Sequence, residues 1–208
     1  FQDYATSSDA PNALYQYASL EFEEGSYTDA RRYFTRIVEE YQESNLIPDA
    51  SLMVAECYFA RGEYGEAQEA FRQTWVHYDD PEIKDRAIYR LAWSHYRAEQ
   101  YEQAARYFDQ VLQTAPNSQF ASEALLWKAE SEYRLNNFQQ AYVAYRQFLD
   151  QYPESSSVID ANYGLGYAAM RVGRFEEAAR AFETTARQSE VESIRIDARM
   201  RQGDALFN

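Results

Sequence analysis

The chain has 208 residues, of which 46% are hydrophobic and 26% charged, and its formal net charge is −14. An acidic chain without a basic run is a poor ligand for nucleic acid, because phosphate binding depends on lysine and arginine side chains. Its longest apolar stretches are only a few residues, against the roughly 20 that a membrane-spanning helix needs, so no direct membrane span is expected.

A period of 37 residues runs through the chain without insertion or deletion. One alanine column comprises Ala30, Ala67, Ala104, Ala141 and Ala178. Two columns are aromatic: Tyr27, Tyr64, Tyr101, Phe138 and Phe175; and Phe34, Phe71, Phe108, Tyr145 and Phe182. Two more are small: Ala13, Ala50, Ala87, Ala124, Ala161 and Ala198; and Ala18, Ala55, Ala92, Ala129, Gly166 and Gly203. Repetition on this scale is typical of a solenoid, in which each repeat buries its apolar face against its neighbours.

The period predicts a single array over residues 1–208, with about five full repeats and partial ones at both ends. The predicted repeats are approximately 11–42, 48–79, 82–116, 119–153 and 156–190, with a half repeat at 192–208. Phe1 and Tyr4 match the tail of a preceding repeat, whereas Phe207 continues a first-helix column with no second helix after it. We therefore expect a fragment of a longer protein, with any targeting signal encoded upstream.

Each repeat is predicted to be a helix, a tight turn and a second helix. Asp80 and Pro81 predict the start of the third helix A, with the aspartate as N-cap and the proline pre-set for the first helical turn. In the fourth repeat, apolar residues three and four apart predict helix A up to Tyr133, and the turn follows at Asn136, level with glycines in other repeats. The second helix, B, then ends ahead of Pro153, which lacks the amide hydrogen that a helix needs.

These residues resemble the tetratricopeptide repeat. The third repeat carries that family's small, aromatic, alanine, aromatic and small-apolar signature, followed by its terminal proline, at Ala92, Tyr101, Ala104, Phe108, Val111 and Pro116. The period exceeds the family's usual 34 residues by three. Together with the loop from Tyr152 to Ser155, it resembles the variety found in bacterial envelope proteins, among them outer-membrane-protein assembly lipoproteins and the Tol-associated periplasmic protein.

The resemblance implies an all-α, right-handed superhelical solenoid of antiparallel hairpins whose A helices line a concave groove. A protein or peptide partner, extended or helical, would bind there without turnover. The predicted groove residues are Arg90, Trp93, Arg97, Trp127, Arg134, Tyr163, Tyr167 and Arg171. Arginine and tryptophan are enriched at binding hot spots. The alternative is that the arginines pair with neighbouring acids, including Glu130 and Glu132, and that the tryptophans fill the core.

No catalytic residue, metal site or cofactor is predicted. His77 and His95 lie on different helices without a ligand partner on the same face, and Cys57 shares its column with the small residues Ser94 and Ser131, as expected for a buried helix position. Two other functions stay open: a structural spacer or oligomerisation element, and a regulatory array of an enzyme domain outside this fragment. The sequence leaves the partner, oligomeric state and compartment undetermined, and the resemblance favours the periplasm or cell envelope.

Overall fold

A computed structural model describes residues 9–208 of the chain, which form helices and turns without a β-strand. The expectation for Phe1 and Tyr4 lies outside these residues. The helices are α1 (Ala10–Glu23), α2 (Tyr27–Glu40), α3 (Ile47–Ala60), α4 (Tyr64–His77), α5 (Pro81–Arg97), α6 (Tyr101–Thr114), α7 (Ala121–Arg134), α8 (Phe138–Gln151), α9 (Val158–Arg171), α10 (Phe175–Gln188) and α11 (Glu192–Phe207). Odd-numbered helices are the A helices of the repeats, and even-numbered helices are the B helices.

The chain forms two compact units, one ending at Gln100 and the other comprising Tyr101–Asn208. We call them the N-terminal and C-terminal units. Within the N-terminal unit each helix from α1 to α5 packs against the next, and the same holds from α6 to α11 in the C-terminal unit. None of the helices in residues 9–208 is both long and apolar enough to cross a bilayer.

The repeated columns form the core of both units. Every member of the column that begins with Ala30 has no exposed surface, and each member of the column that begins with Phe34 is buried. Helices can approach closely where one of them carries only a methyl group, and the aromatic ring of the same repeat fills the space beside it. This packing confirms the predicted all-α solenoid of helix hairpins.

The turns inside the hairpins also repeat. Gly25, Gly62 and Gly173 have φ angles between 76° and 81°, and Asn136 and Glu99, which share their column, have φ angles of 62° and 59°. This left-handed conformation ends an α-helix and reverses the chain, and glycine adopts it without a steric penalty. The predicted turn at Asn136 is therefore confirmed.

The predicted start of α5 and end of α8 are also confirmed. The Asp80 side chain accepts hydrogen bonds from the backbone N–H groups of Glu82 and Ile83, at 3.0 and 3.1 Å, so it satisfies two donors that a helix leaves free at its first turn. Helix α8 ends at Gln151, two residues before Pro153.

Replacing Glu99 with glycine is expected to stabilise the protein by about 0.5–1 kcal/mol. A φ of 59° is sterically unfavourable for glutamate but not for glycine, the residue of three equivalent turns. Urea unfolding followed by circular dichroism measures the change. Glycine in place of the exposed, helical Gln103 should instead destabilise by about 1 kcal/mol. A Glu99→Gly variant that unfolds as easily as Gln103→Gly would show that the left-handed conformation at residue 99 does not destabilise the protein.

Candidate partner-binding surface

The eight predicted groove residues lie on three A helices. Helix α5 of the N-terminal unit carries Arg90, Trp93 and Arg97, at spacings of three and four that place them on one helix face. Helices α7 and α9 of the C-terminal unit carry the other five: Trp127, Arg134, Tyr163, Tyr167 and Arg171. Within each unit successive A helices are in contact, α3 with α5 and α7 with α9.

Arg90 neutralises a buried carboxylate. Glu56 of α3 is only 6% exposed, and it forms an ion pair with Arg90, while the guanidinium of Arg86 lies 3.9 Å from its other carboxylate oxygen. The Arg90 guanidinium carbon also lies 4.2 Å from the centre of the Phe59 ring. A buried charge is tolerated only when it is paired, so this arginine has a structural task within the unit.

Trp93 and Arg97 occupy the next two turns of the same face. Trp93 is partly exposed and meets the ring of Tyr96 edge to face, with ring centres 5.6 Å apart. Arg97 is exposed, and its guanidinium carbon lies 5.7 Å from the centre of the Tyr64 ring, at the start of α4 in the preceding hairpin. Both side chains keep a surface that a partner could contact.

On α7, Trp127 is partly exposed and Arg134 is exposed. The Arg134 Nε lies 2.7 Å from a carboxylate oxygen of Glu130, one helical turn earlier. Glu130 also accepts a hydrogen bond of 2.8 Å from the buried Tyr145 hydroxyl. Arg134 therefore pairs with a neighbouring acidic residue, Glu130, as the alternative interpretation of the arginines expects.

Arg171 lies at the end of α9, above an aromatic ring. Its guanidinium carbon is 3.8 Å from the centre of the Phe138 ring, which stands at the start of α8 in the preceding hairpin. Arg97 and Tyr64 have the same relation in the N-terminal unit, and in both pairs the arginine follows the aromatic residue by 33 positions. These contacts are cation–π interactions that tie one hairpin to the next.

Tyr163 and Tyr167 converge on one carboxylate. Their hydroxyls both donate to the Oδ2 atom of Asp197 in α11, the Tyr163 bond measuring 2.7 Å. Arg201 lies beside the same carboxylate at 3.5 Å. Burial alone would raise the pKa of Asp197, but the two tyrosine hydrogen bonds and the Arg201 charge outweigh it and hold that pKa below its ordinary value.

Replacing Tyr163 or Tyr167 with phenylalanine is expected to raise the pKa of Asp197, because each change removes a hydrogen bond to the ionised form. The native contacts of Asp197 contribute stability above its unfolded pKa of about 3.9, and this contribution is lost as the pH falls through the lower folded value. Carbon-13 NMR titration of the aspartate carboxyl groups measures the shift. The control is Tyr142→Phe, because the native Tyr142 hydroxyl donates to Glu177 and not to Asp197. An Asp197 that titrates identically in all three variants would contradict this assignment.

The sequence pattern missed Asp197 and the pairing of Glu56 with Arg90. A signal for both exists, because Asp197 follows Tyr163 by 34 residues and Arg90 follows Glu56 by the same number. This offset is the distance along the chain between facing positions on successive A helices. A search for complementary residues 34 apart would have found both contacts.

Two histidines and one cysteine lie within the described part of the chain. Within residues 9–208 no three histidine, cysteine, aspartate or glutamate residues are grouped as a metal ion would require. Cys57 is fully buried, as expected from its column, and burial raises the pKa of its thiol to about 12. Burial lowers the pKa of His95, whose Nδ1 lies 2.7 Å from the Gln100 amide oxygen, and His77 stacks edge-on against Tyr78.

Several solved structures share this fold at low sequence identity. A tetratricopeptide repeat protein from Parabacteroides merdae matches with a TM-score of 0.76 and 14% identity, over 96% of this chain and 73% of that protein. MamA from Desulfovibrio magneticus RS-1 has a TM-score of 0.72 and 18% identity, covering 88% and 99%. YrrB, described as a tetratricopeptide repeat protein with an unusual peptide-binding site, has a TM-score of 0.72 and 14% identity, covering 96% of each chain. At these identities the similarity concerns the fold alone.

Sequence comparison identifies the family. No curated protein matches the sequence. The family described as "Tetratricopeptide repeat-like domain" matches residues 1–162, and that described as "Tetratricopeptide repeat" matches residues 163–208. Because the first match alone covers more than three quarters of the sequence, and the helix hairpins agree with it, the chain belongs to the tetratricopeptide repeat family.

Proposed function

We propose that this protein is a non-catalytic scaffold that binds an extended or helical segment of a partner protein along its A helices. The observation that supports the proposal best is the partial exposure of Trp93 and Trp127, two large aromatic side chains on A helices. A tryptophan that retains accessible surface on a rigid helix can bury that surface against a partner at little cost in conformational entropy. Arg134 adds an exposed guanidinium on the same helix as Trp127.

Selection of peptides from a random phage-displayed library on the immobilised protein tests this function. Affinities of the selected peptides are then measured for Trp93→Ala, Trp127→Ala and Arg134→Glu. Loss of a hot-spot tryptophan costs about 2 kcal/mol, so affinity should fall by about thirtyfold for at least one tryptophan variant. The control is Val143→Ala, an exposed position on the B helix α8, which should bind normally. Unchanged affinity in all three variants would end the proposal.

We further propose that this scaffold works in the bacterial cell envelope. The support is the 37-residue period and the loop from Tyr152 to Ser155, which resemble the envelope variety of the family. Fractionation of cells that produce the epitope-tagged full-length protein tests it. Recovery of the protein with the periplasm or membranes is expected, and recovery in the cytoplasm alone would contradict this location.

A second candidate function, as a stacking or oligomerisation element, is favoured by the surface of α11. This helix exposes Met200, Leu206 and Phe207, whose exposed fractions are 60%, 70% and 93%, and nothing lies within 4 Å of the position that a Cβ atom would take at Gly203. The equivalent residues of an earlier A helix are buried: Leu52 occupies the column of Met200, and Ala55 that of Gly203. Sedimentation at increasing concentration tests this function: association that Phe207→Ser abolishes supports it, and a constant monomer mass excludes self-association.

A further inference from the structure

A cavity of about 440 Å³ opens between the B helices of the N-terminal unit, away from the groove residues described above. Helices α2 and α4 form its sides with Val38, Ala70 and Val76, and α3 contributes Ser51 and Val54. The Ser51 hydroxyl lies 2.8 Å from the Tyr78 hydroxyl, so these two polar groups satisfy each other. The aliphatic side chains of Val38, Val54, Ala70 and Val76 share the wall with polar ones, among them Thr35, Gln73, Thr74 and His77. The volume of the cavity lies within the range of roughly 300–1,000 Å³ that is usual for ligand pockets.

The repeat itself explains why the cavity exists. The column of Ser51 holds Leu14, Ile88 and Leu125 in three other repeats, and these side chains are 5%, 1% and 1% exposed. At Ser51 the large apolar side chain is missing. Ala70 stands where the two adjacent repeats carry Tyr33 and Tyr107, although the fourth and fifth repeats also have alanine there, at 144 and 181. The second repeat therefore lacks apolar groups that its neighbours supply from their own chain.

The fifth repeat shows the same arrangement with different chemistry. Asn162 occupies the column of Ser51, and a cavity of about 330 Å³ lies beside it. Arg146 and Arg180 line that cavity, along with Glu177. A small polar residue in this column thus leaves a cavity in both units, and the charges around each cavity differ.

Charge indicates what the cavity beside Ser51 can bind. Residues 1–100 contain nineteen acidic and nine basic side chains, and the exposed Glu39 lines the cavity. Arg72 also lines it, but its guanidinium lies 2.7 Å from a carboxylate oxygen of Glu69, which compensates its charge. The net negative charge of residues 1–100, with Glu39 at the cavity, therefore attracts a positively charged segment and repels an acidic one.

We propose that the cavity beside Ser51 is a docking site for one large aliphatic or aromatic side chain of a basic partner segment. The partner's side chain takes the place that Ile88 and Leu125 fill in other repeats, and lysine or arginine residues beside it face the acidic surface. This site lies on the B-helix side and is independent of the proposed groove on the A helices.

A titration of the nitrogen-15-labelled protein, followed by NMR, tests the proposal. The probe is a synthetic pentapeptide with one leucine between two pairs of lysines. We expect the amide signals of Ser51, Val54, Ala70 and Gln73 to shift on titration. A peptide with alanine in place of leucine should bind about tenfold more weakly or less, because it lacks the buried side chain. A peptide with glutamates in place of the lysines should also bind more weakly.

Filling the cavity provides the decisive variant. Ser51→Ile introduces the residue that the next repeat carries at this position, so the protein should fold with an unchanged or higher thermal midpoint and lose the leucine-dependent binding. The matched control is Asn162→Leu, which fills the equivalent cavity of the C-terminal unit and should bind the peptide normally. Val76→Lys, at a rim position that is 64% exposed, should weaken binding without disturbing the core.

Three results would overturn the proposal. One is equal binding of the leucine and alanine peptides, which would indicate charge attraction alone. Another is unchanged binding in a folded Ser51→Ile variant or, should that variant not fold, in Val76→Lys. The third is a set of shifted signals that excludes Ser51 and Ala70. The variant Trp93→Ala should leave this binding unchanged, so the result is separate from the fate of the A-helix groove.

Discussion

Replacing Phe182 with alanine is expected to lower the free energy of unfolding of the C-terminal unit by about 3–5 kcal/mol. Phe182 has no exposed surface, and its ring meets the Tyr167 and Tyr163 rings edge to face at 5.2 and 6.2 Å between centres. Truncation removes these contacts and leaves a cavity between α9 and α10. Because Tyr163 and Tyr167 also donate hydrogen bonds to Asp197, the loss of packing around Phe182 should destabilise α11 as well.

Two measurements together check this expectation. Urea unfolding gives the change in free energy, and native-state hydrogen exchange should show the largest loss of protection in α9 and α10, since each repeat is stabilised by its neighbours. Val143→Ala on α8 is the control, because this side chain is 53% exposed and its truncation should change stability by less than about 0.5 kcal/mol. A Phe182→Ala variant as stable as this control would show that the aromatic column is not the core of the repeat.

The sequence predicts this core because the same physical requirement recurs in every repeat. Two helices pack closely only where one of them carries a small residue, Ala178 or its equivalents in the other repeats. An aromatic ring as large as Phe182 is then needed to fill the space beside the alanine. The turn at Asn136 is predictable for the same reason, since reversing the chain requires a left-handed residue wherever the hairpin occurs. Features shared by all repeats are therefore visible from periodicity alone.

Contacts between repeats are harder to predict because they pair residues of different columns. Arg97 and Arg171 share a column, which indicates a row of cations available to a partner, but each lies over an aromatic ring of the preceding hairpin. The column does not show this contact, whereas the offset of 33 residues does. A column shows which residue type recurs, but not how much of its surface the neighbouring hairpin covers.

The cavity beside Ser51 belongs to a third class of feature, in which one repeat departs from its column. Serine among leucine and isoleucine residues is visible in the sequence, but three outcomes were possible: collapse of the helices, filling by another side chain, or an open cavity. Collapse would change the hairpin geometry that the alanine column fixes, so the space stays open. The positions of α2 and α4, which the sequence does not give, determine whether the helices collapse, another side chain fills the space, or a cavity remains.

Gly164→Ala is expected to destabilise the protein by about 1–3 kcal/mol, although alanine is favoured over glycine in helices by about 1 kcal/mol. A Cβ atom at position 164 would lie 2.6 Å from Cε1 and 2.7 Å from the hydroxyl oxygen of Tyr145. Tyr145 is 2% exposed and donates its hydroxyl to Glu130, so its ring cannot move without losing this bond or its packing. The column of Gly164 holds large residues such as Arg90 and Trp127, and therefore gives no hint of this requirement.

Gly203→Ala is the matched control, because it places the same methyl group on another helix, α11, where nothing lies within 4 Å. It should stabilise by up to about 1 kcal/mol, so the two alanine substitutions are expected to change the urea midpoint in opposite directions. Combining Gly164→Ala with Tyr145→Leu should reduce the cost of the alanine, because the smaller side chain no longer occupies its space. If Gly164→Ala stabilises the protein as Gly203→Ala does, Tyr145 does not lie as close to α9 as these distances state. An equal cost with and without the tyrosine would place the strain elsewhere in the repeat.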